Sequence, residues 1–148
     1  MKIAPARTRD EIAQCYALRE AVFMGEQGVS AGDEWDGLDP TCTHFLATGP
    51  AGAMATARLL SKGDMIKIQR VAVIGQARGT GLGRELMRAV LDHARNSAFT
   101  GAVLDAQIAV VGFYERLGFC AEGPEFDDGT GILHRHMVLR FQPANRPE

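Results

Sequence analysis

The run Val71-Ala72-Val73-Ile74-Gly75-Gln76-Ala77-Arg78-Gly79-Thr80-Gly81-Leu82-Gly83-Arg84 constrains the fold of this chain more than any other segment. An apolar strand passes through alternating glycines straight into a helix. Leu82, Leu86, Met87, Val90, Leu91 and Ala94 form one apolar stripe of that helix, with Arg84, Arg88, Asp92 and Arg95 on the opposite face. Gly79, Gly81 and Gly83 permit unusual backbone angles and remove Cβ atoms that would block a close ligand. At a helix start several N–H groups lack an internal partner and point outward with the positive end of the dipole. The segment therefore suits an anion of diphosphate size, and Arg78 and Arg84 add full charges to it. The plainer alternative is a turn that only lets strand and helix pack. Two well-known phosphate loops do not fit. A P-loop ends in Gly-Lys-Ser/Thr, whereas Gly83 precedes Arg84-Glu85. A dinucleotide fingerprint needs a third spaced glycine where Arg84 stands, and it opens a fold rather than following some seventy residues.

The surrounding pattern sets the architecture. Thr8 and Glu11 have capping-box spacing, which starts a helix near Asp10, continued by Ile12, Cys15, Tyr16, Arg19, Val22 and Phe23. Gly25, Gly28, Gly32 and Gly37 break the next stretch into turns or short helical pieces. Strands are expected from His44 to Thr48, Ala53 to Leu60 and Met65 to Ile74, the last with a fully buried end over Val71 to Ile74. A short strand over Ala102 to Ala106, a helix over Val110 to Leu117 closed by Gly118, and strands over Phe119 to Glu122 and Ile132 to Phe141 complete the chain. Strand–helix–strand from Met65 to Ala106 requires parallel pairing. The expected fold is α/β (α+β), with a mixed central sheet, an antiparallel N-terminal meander and a parallel β-α-β unit. Residues 1–142 are expected to form one domain and 143–148 a frayed tail.

Composition narrows the function classes. Of 148 residues, 46% are apolar and 23% charged, a globular balance for one domain. No apolar run approaches the roughly 18 residues of a membrane span, and no secretory signal precedes Arg7 and Arg9. Cys15, Cys42 and Cys120 have neither disulfide-framework nor metal-site spacing. With 16 basic and 18 acidic side chains, a nucleic-acid footprint is absent in bulk. A cytoplasmic protein without nucleic-acid, membrane or metal partners is the expectation. The charge is nevertheless divided. Glu20, Glu26, Asp33, Glu34, Asp36 and Asp39 occupy a stretch without Lys or Arg, and a basic block follows from Arg58 to Arg95. Such runs are either solvated faces or regions that hold ligands of opposite sign.

Gln-x-x-Gly-x-Gly after a Val-Ala-Val strand resembles motif A of the GNAT N-acetyltransferase superfamily. Phe113-Tyr114 followed by Gly118-Phe119 resembles its motif B. The likeness covers Phe45 to Phe119. Arg19-Glu20-Ala21-Val22-Phe23, Glu26-Gln27-Gly28-Val29, Asp36-Gly37-Leu38-Asp39 and Leu104-Asp105-Ala106-Gln107 further resemble the ElaA-like bacterial branch. The resemblance implies acetyl-CoA as cosubstrate and transfer of its acetyl group to a primary amine of a small molecule or peptide. Backbone groups of Val71, Ala72 and Val73 would pair with the pantetheine amides, where this strand and the Val103 strand splay apart in the family. Gln76 belongs to the motif, and N–H groups from Arg78 through Gly79, Thr80, Gly81, Leu82 and Gly83 to Arg84 would hold the diphosphate. Gln107 would touch the pantetheine arm or cap a helix. Tyr114 would serve as general acid or fill the core.

One departure from the family pattern matters. Gln69 stands where many relatives carry a Glu that draws the proton from the attacking ammonium, and an amide is no base at neutral pH. Glu20, Glu26, His44 and His134 are the candidates for that proton or for the acceptor amine, His134 by its place in an Ile-x-His segment of the branch. The acidic block would draw a protonated amine. No cysteine lies beside a recognisable base, which favours direct attack in a ternary complex over an acetyl-enzyme. Gln69 favours a rival reading, a non-catalytic acyl-CoA-binding sensor or interaction module. A nucleotide-binding oxidoreductase comes third. Dimers are common in the family, so a homodimer is the assembly the resemblance allows, although no segment marks an interface.

Overall fold

In a computed structural model of the chain, which describes residues 1–142, the first element is a short strand, β1 (Lys2–Pro5). It pairs antiparallel with β2 (Thr43–Gly49), from Lys2↔Thr48 to Pro5↔Phe45. The sequence reading did not contain this strand. Four residues ending in Pro carry too little alternation to detect, and a Pro is tolerated there because the strand lies at a sheet edge. Helix α1 (Arg9–Arg19) starts as its capping box directs. The Glu11 N–H donates to Thr8 Oγ1 at 3.1 Å and the Thr8 N–H donates to Glu11 Oε1 at 3.0 Å. The helix runs on into a π-helical segment, Glu20–Glu26, and then into the short α2 (Ala31–Glu34) and a 3-10 turn, Asp39–Thr41.

Strands β3 (Gly52–Lys62) and β4 (Met65–Val73), helix α3 (Leu82–Asn96), strand β5 (Gly101–Gln107), helix α4 (Val111–Arg116) and strands β6 (Cys120–Asp127) and β7 (Leu133–Arg140) follow. The strands form a seven-stranded mixed sheet in the order β1-β2-β3-β4-β5-β7-β6, the α/β architecture that the sequence requires. Pairing of β4 with β5 is parallel over Met65↔Gly101, Ile66↔Ala102 and Lys67↔Val103, while β5–β7 and β6–β7 are antiparallel. The six residues of the α3 stripe are all buried, and the helix begins at Leu82, so Gly83 lies inside its first turn. The tail expected over 143–148 lies outside the described residues.

Two compact units make up the chain. The first comprises Met1–Leu60 and Ile68–Val90, the second Ser61–Lys67 and the described residues 91–142. In the first, Cys15 and Leu18 of α1 pack on Leu46 of β2, with Ala6, Tyr16, Ala53 and Ile74 around them. The second is built on β5, β6 and β7, where every residue from Gly101 to Gln107 faces a partner between Arg140 and His134. One expectation fails. The end of β4 is not fully buried: Ala72 is, but Val71, Val73 and Ile74 are half-buried. Arg70 interrupts the extended backbone at φ +54, where its side chain reaches Glu34 and Asp36, and strict alternation ends there. No helix among the described residues is long and apolar enough to cross a membrane.

Candidate active site

The glycine loop is built by local rules. The Ile74 N–H donates to the Met54 carbonyl at 2.9 Å, which ties the end of β4 to β3. A 3-10 turn, Gly75–Ala77, carries the exposed Gln76. Gly79 and Gly81 then take φ +79 and +86, angles that side-chain-bearing residues rarely adopt. A Cβ on either would meet nothing within 4 Å, so both glycines are needed for backbone angle and both border open space. Between them the Thr80 hydroxyl donates to the Ala77 carbonyl. The Glu85 N–H reaches back to the Gly81 carbonyl at 3.1 Å, so the N–H groups of Leu82, Gly83 and Arg84 precede the first intrahelical bond. The Leu82 side chain is buried, Gly83 is half-buried and Arg84 stands exposed. N–H groups beside open space are an arrangement able to hold an anion. Arg78 is directed differently: its Nε donates to the Val73 carbonyl at 2.9 Å and its Nη2 to Glu26 at 2.7 Å. Two expected site residues therefore hold each other at the mouth of the loop.

Half of the acidic block is not a solvated face: Glu34, Asp36 and Asp39 are paired, whereas Glu20, Glu26 and Asp33 are exposed. Arg19 and Arg58, both 0% exposed, lie among its carboxylates. Arg19 donates to Glu34 at 2.8 Å and to Asp39 at 2.6 Å, with its guanidinium over the rings of Trp35 and Tyr16. Arg58 grips Asp36 with both Nη atoms, at 2.9 and 2.8 Å, and also reaches Asp39 at 3.1 Å. Arg70 completes the network through Glu34 and Asp36 at 3.1 and 3.3 Å. The Arg58 side chain bonds hold the Asp36 carboxyl far below the usual carboxylate range. Burial alone would raise Asp39, but the bonds from Arg19 and Arg58 outweigh it and lower its pKa. Glu34, Asp36 and Asp39 are thus structural, which leaves Glu20, Glu26 and Asp33 as the acids of the block outside this network. Sequence reading missed this because the three arginines come from α1, β3 and β4.

Gln69 belongs to the same network. Its Oε1 accepts from Arg58 Nη2 at 2.8 Å, so the amide completes the coordination of a buried guanidinium. Among the four candidates for proton handling, Glu20 is exposed at the start of the π-helical segment and Glu26 is paired with Arg78. His44 is buried; its Nε2 lies 3.0 Å from the Asp39 carbonyl, and desolvation pushes its pKa down, which keeps the ring neutral.

The second unit carries the other expected residues. Tyr114 of α4 is buried against Phe113 and Phe119, with ring centroids 5.0 and 5.8 Å away. Burial raises its pKa well above that of an ordinary phenol, so it stays protonated and able to donate. Gln107 closes β5 opposite His134 and precedes a 3-10 turn, Ile108–Val110, for which its side chain makes no cap hydrogen bond. The cap alternative is thereby removed. His134 has Nδ1 2.7 Å from the Ile132 carbonyl and Nε2 3.5 Å from Asp128, beside the Phe126 ring. Next along β7, His136 has Nδ1 2.8 Å from Asp105, whose other oxygen lies 3.6 Å from Lys67. His136 was not singled out in the sequence and Asp105 only as part of the Leu104–Gln107 segment, because only the β5–β7 register brings the two together.

Residues 41–141 match the family model described as acetyltransferase (GNAT) domain. The chain belongs to the GNAT acetyltransferase family. Over 139 residues this GNAT chain is 30% identical to the uncharacterized N-acetyltransferase YjcF of Bacillus subtilis (strain 168), a match covering 93% of this chain and 99% of that protein. Among solved structures it is similar to Escherichia coli ElaA, with a TM-score of 0.82, 27% identity and coverage of 93% and 97% of the two chains. An acyl-CoA N-acyltransferase from Pseudomonas aeruginosa is similar to the same degree, with a TM-score of 0.82, 30% identity and coverage of 93% and 99%. The family is one of acyl-CoA-dependent N-acetyltransferases, and the expected likeness to ElaA holds along nearly the whole GNAT chain.

Proposed function

We propose that this GNAT enzyme uses acetyl-CoA and acetylates a primary amine of a small molecule or peptide by direct attack within a ternary complex. The glycine loop carries the reading: two glycines at positive φ, with open space where side chains would stand, lead into the N-terminus of a fifteen-residue helix. N–H groups from Gly79 to Arg84 hold the diphosphate, since the Arg78 N–H already donates to the Gly75 carbonyl at 3.3 Å, and the exposed Arg84 guanidinium stands beside them. Val71, Ala72 and Val73 present backbone groups to the pantetheine amides; the β4–β5 ladder takes up only Met65 to Lys67 and leaves these three outside it. Gln107 contacts the same arm. A backbone N–H near Val71 stabilises the carbonyl oxygen as charge develops on it.

Tyr114 supplies the proton for the departing sulfur. A thiol has a reference pKa of about 8.5 and a phenol about 10, so hydrogen bonding to the developing thiolate is the larger part of its contribution. The exposed Glu20 and Glu26, the latter paired with Arg78, attract the protonated amine electrostatically. The test is thiol release from acetyl-CoA with a panel of polyamines, aminoglycosides and peptides. Turnover above buffer with at least one amine is expected. Tight acetyl-CoA binding with no turnover on any of them supports the sensor reading instead.

A further inference from the structure

With Gln69 bonded to a buried guanidinium, the acceptor ammonium needs another proton sink. The three histidines on strands differ in what their ring nitrogens meet. His44 is buried with Nε2 against the Asp39 carbonyl, and His134 has one nitrogen on the Ile132 carbonyl and the other facing Asp128. His136 is arranged otherwise. Its Nδ1 lies 2.8 Å from Asp105 Oδ1, and its side chain is 41% exposed. A carboxylate only accepts, so the proton of the neutral ring resides on Nδ1 and Nε2 carries the lone pair. Lys67 Nζ lies 3.6 Å from the second Asp105 oxygen, an ion-pair distance.

Register puts this pair next to Gln107, the residue proposed above to contact the cofactor arm. Asp105 faces His136 across the β5–β7 ladder as Gln107 faces His134. Asp105 and Gln107 are two residues apart on β5, hence on one face and about 7 Å from each other. Other charged groups around the ring are Glu122, opposite His136 on β6, and Arg140, which pairs with Glu122 at 3.5 Å.

Building on the acetyl-transfer reading above, we propose that His136 is the proton acceptor for the acceptor ammonium, directly or through one water, with Asp105 and Lys67 as its positioning residues. One N–H bond of the ammonium breaks and its proton goes to Nε2, giving an imidazolium. The freed lone pair forms the C–N bond and the C–S bond breaks. Tyr114 protonates the sulfur and regains a proton from the acylated nitrogen. The imidazolium returns its proton to water, so the products are amide, thiol and one solvent proton.

The experiment compares His136→Asn and His136→Gln with the wild-type chain, using acetyl-CoA with spermidine, kanamycin or glycylglycine, and with hydroxylamine as a nucleophile already neutral at pH 7.5. Wild-type turnover with an ammonium acceptor comes first; its absence with every probe defeats the acetyltransferase reading and this assignment together. Given turnover, both variants should lose about 100-fold or more in kcat at pH 7. Their KM for acetyl-CoA should be unchanged. The loss should shrink as pH rises, be small with hydroxylamine, and be partly restored by added imidazole. Asp105→Asn should reduce kcat with the same acceptor dependence. A loss below about threefold, or one equal for ammonium and hydroxylamine at every pH, overturns the assignment and leaves acetyl transfer intact. If one variant unfolds, the other carries the comparison. Ring-nitrogen NMR of the wild-type chain adds a readout independent of turnover: the neutral His136 ring should show the Nδ1–H tautomer, and an Nε2–H tautomer contradicts the proposal.

Discussion

Arg58→Met probes the buried ion network of the first unit. The wild-type guanidinium is 0% exposed and serves two carboxylates and one amide: Asp36 through both Nη atoms, Asp39 at 3.1 Å and Gln69 at 2.8 Å. Methionine matches much of the stem but none of the donors. Asp39 retains Arg19 and Asp36 retains Arg70, so neither acid is stranded completely. Breaking a buried pair from one side costs about 3–5 kcal/mol, and for a chain of this size that lowers Tm by roughly 6–20 °C. The cost must depend on pH. Asp36 and Asp39 have folded-state pKa values below their unfolded ones, so the stability they contribute is full above the ordinary carboxylate range and falls as pH drops through their folded values. The window opens near pH 4 and extends well below it. Urea unfolding of wild type and variant at pH 7 and pH 3 should therefore show a smaller difference at the lower pH. Adding Asp36→Asn alone to Arg58→Met leaves two guanidinium groups on two carboxylates and should recover part of the loss at pH 7. A cost under about 1 kcal/mol at pH 7, or the same cost at both pH values, refutes the reasoning.

Gln69→Glu places a carboxylate on Arg58, where an ion pair makes it a poor base; kcat should not rise above wild type, and a gain would show that residue 69 can reach the acceptor ammonium. Tyr114→Phe leaves the ring between Phe113 and Phe119 and removes the hydroxyl; kcat should fall at least about tenfold with acetyl-CoA affinity nearly unchanged, as steady-state kinetics and calorimetry will tell. Gly81→Ala forces a side-chain-bearing residue to φ +86 and should cost about 1–2 kcal/mol in thermal unfolding while weakening acetyl-CoA binding in calorimetry.

What the sequence revealed and what it concealed follow from range. The Thr8–Glu11 capping box and the α3 stripe from Leu82 to Ala94 are local patterns, and both appear in the structure as written. The parallel β4–α3–β5 unit follows from connection length and handedness. Long-range pairing was not legible. Glu34, Asp36 and Asp39 look like an open acidic surface until α1, β3 and β4 deliver Arg19, Arg58 and Arg70 to them. Gln69 looked like a lost base, whereas its local role is to accept from Arg58. His136 and Asp105 are thirty-one positions apart and meet only through antiparallel register. The half-buried end of β4 follows a positive φ at Arg70 and lies beyond the last β5 pair at Lys67, neither of which composition signals.

A crystal structure of the chain with coenzyme A tests the central claim most directly. Diphosphate oxygens should lie about 3 Å from N–H groups between Gly79 and Arg84. Coenzyme A bound elsewhere, or excluded from a loop filled by the chain's own side chains, contradicts the account.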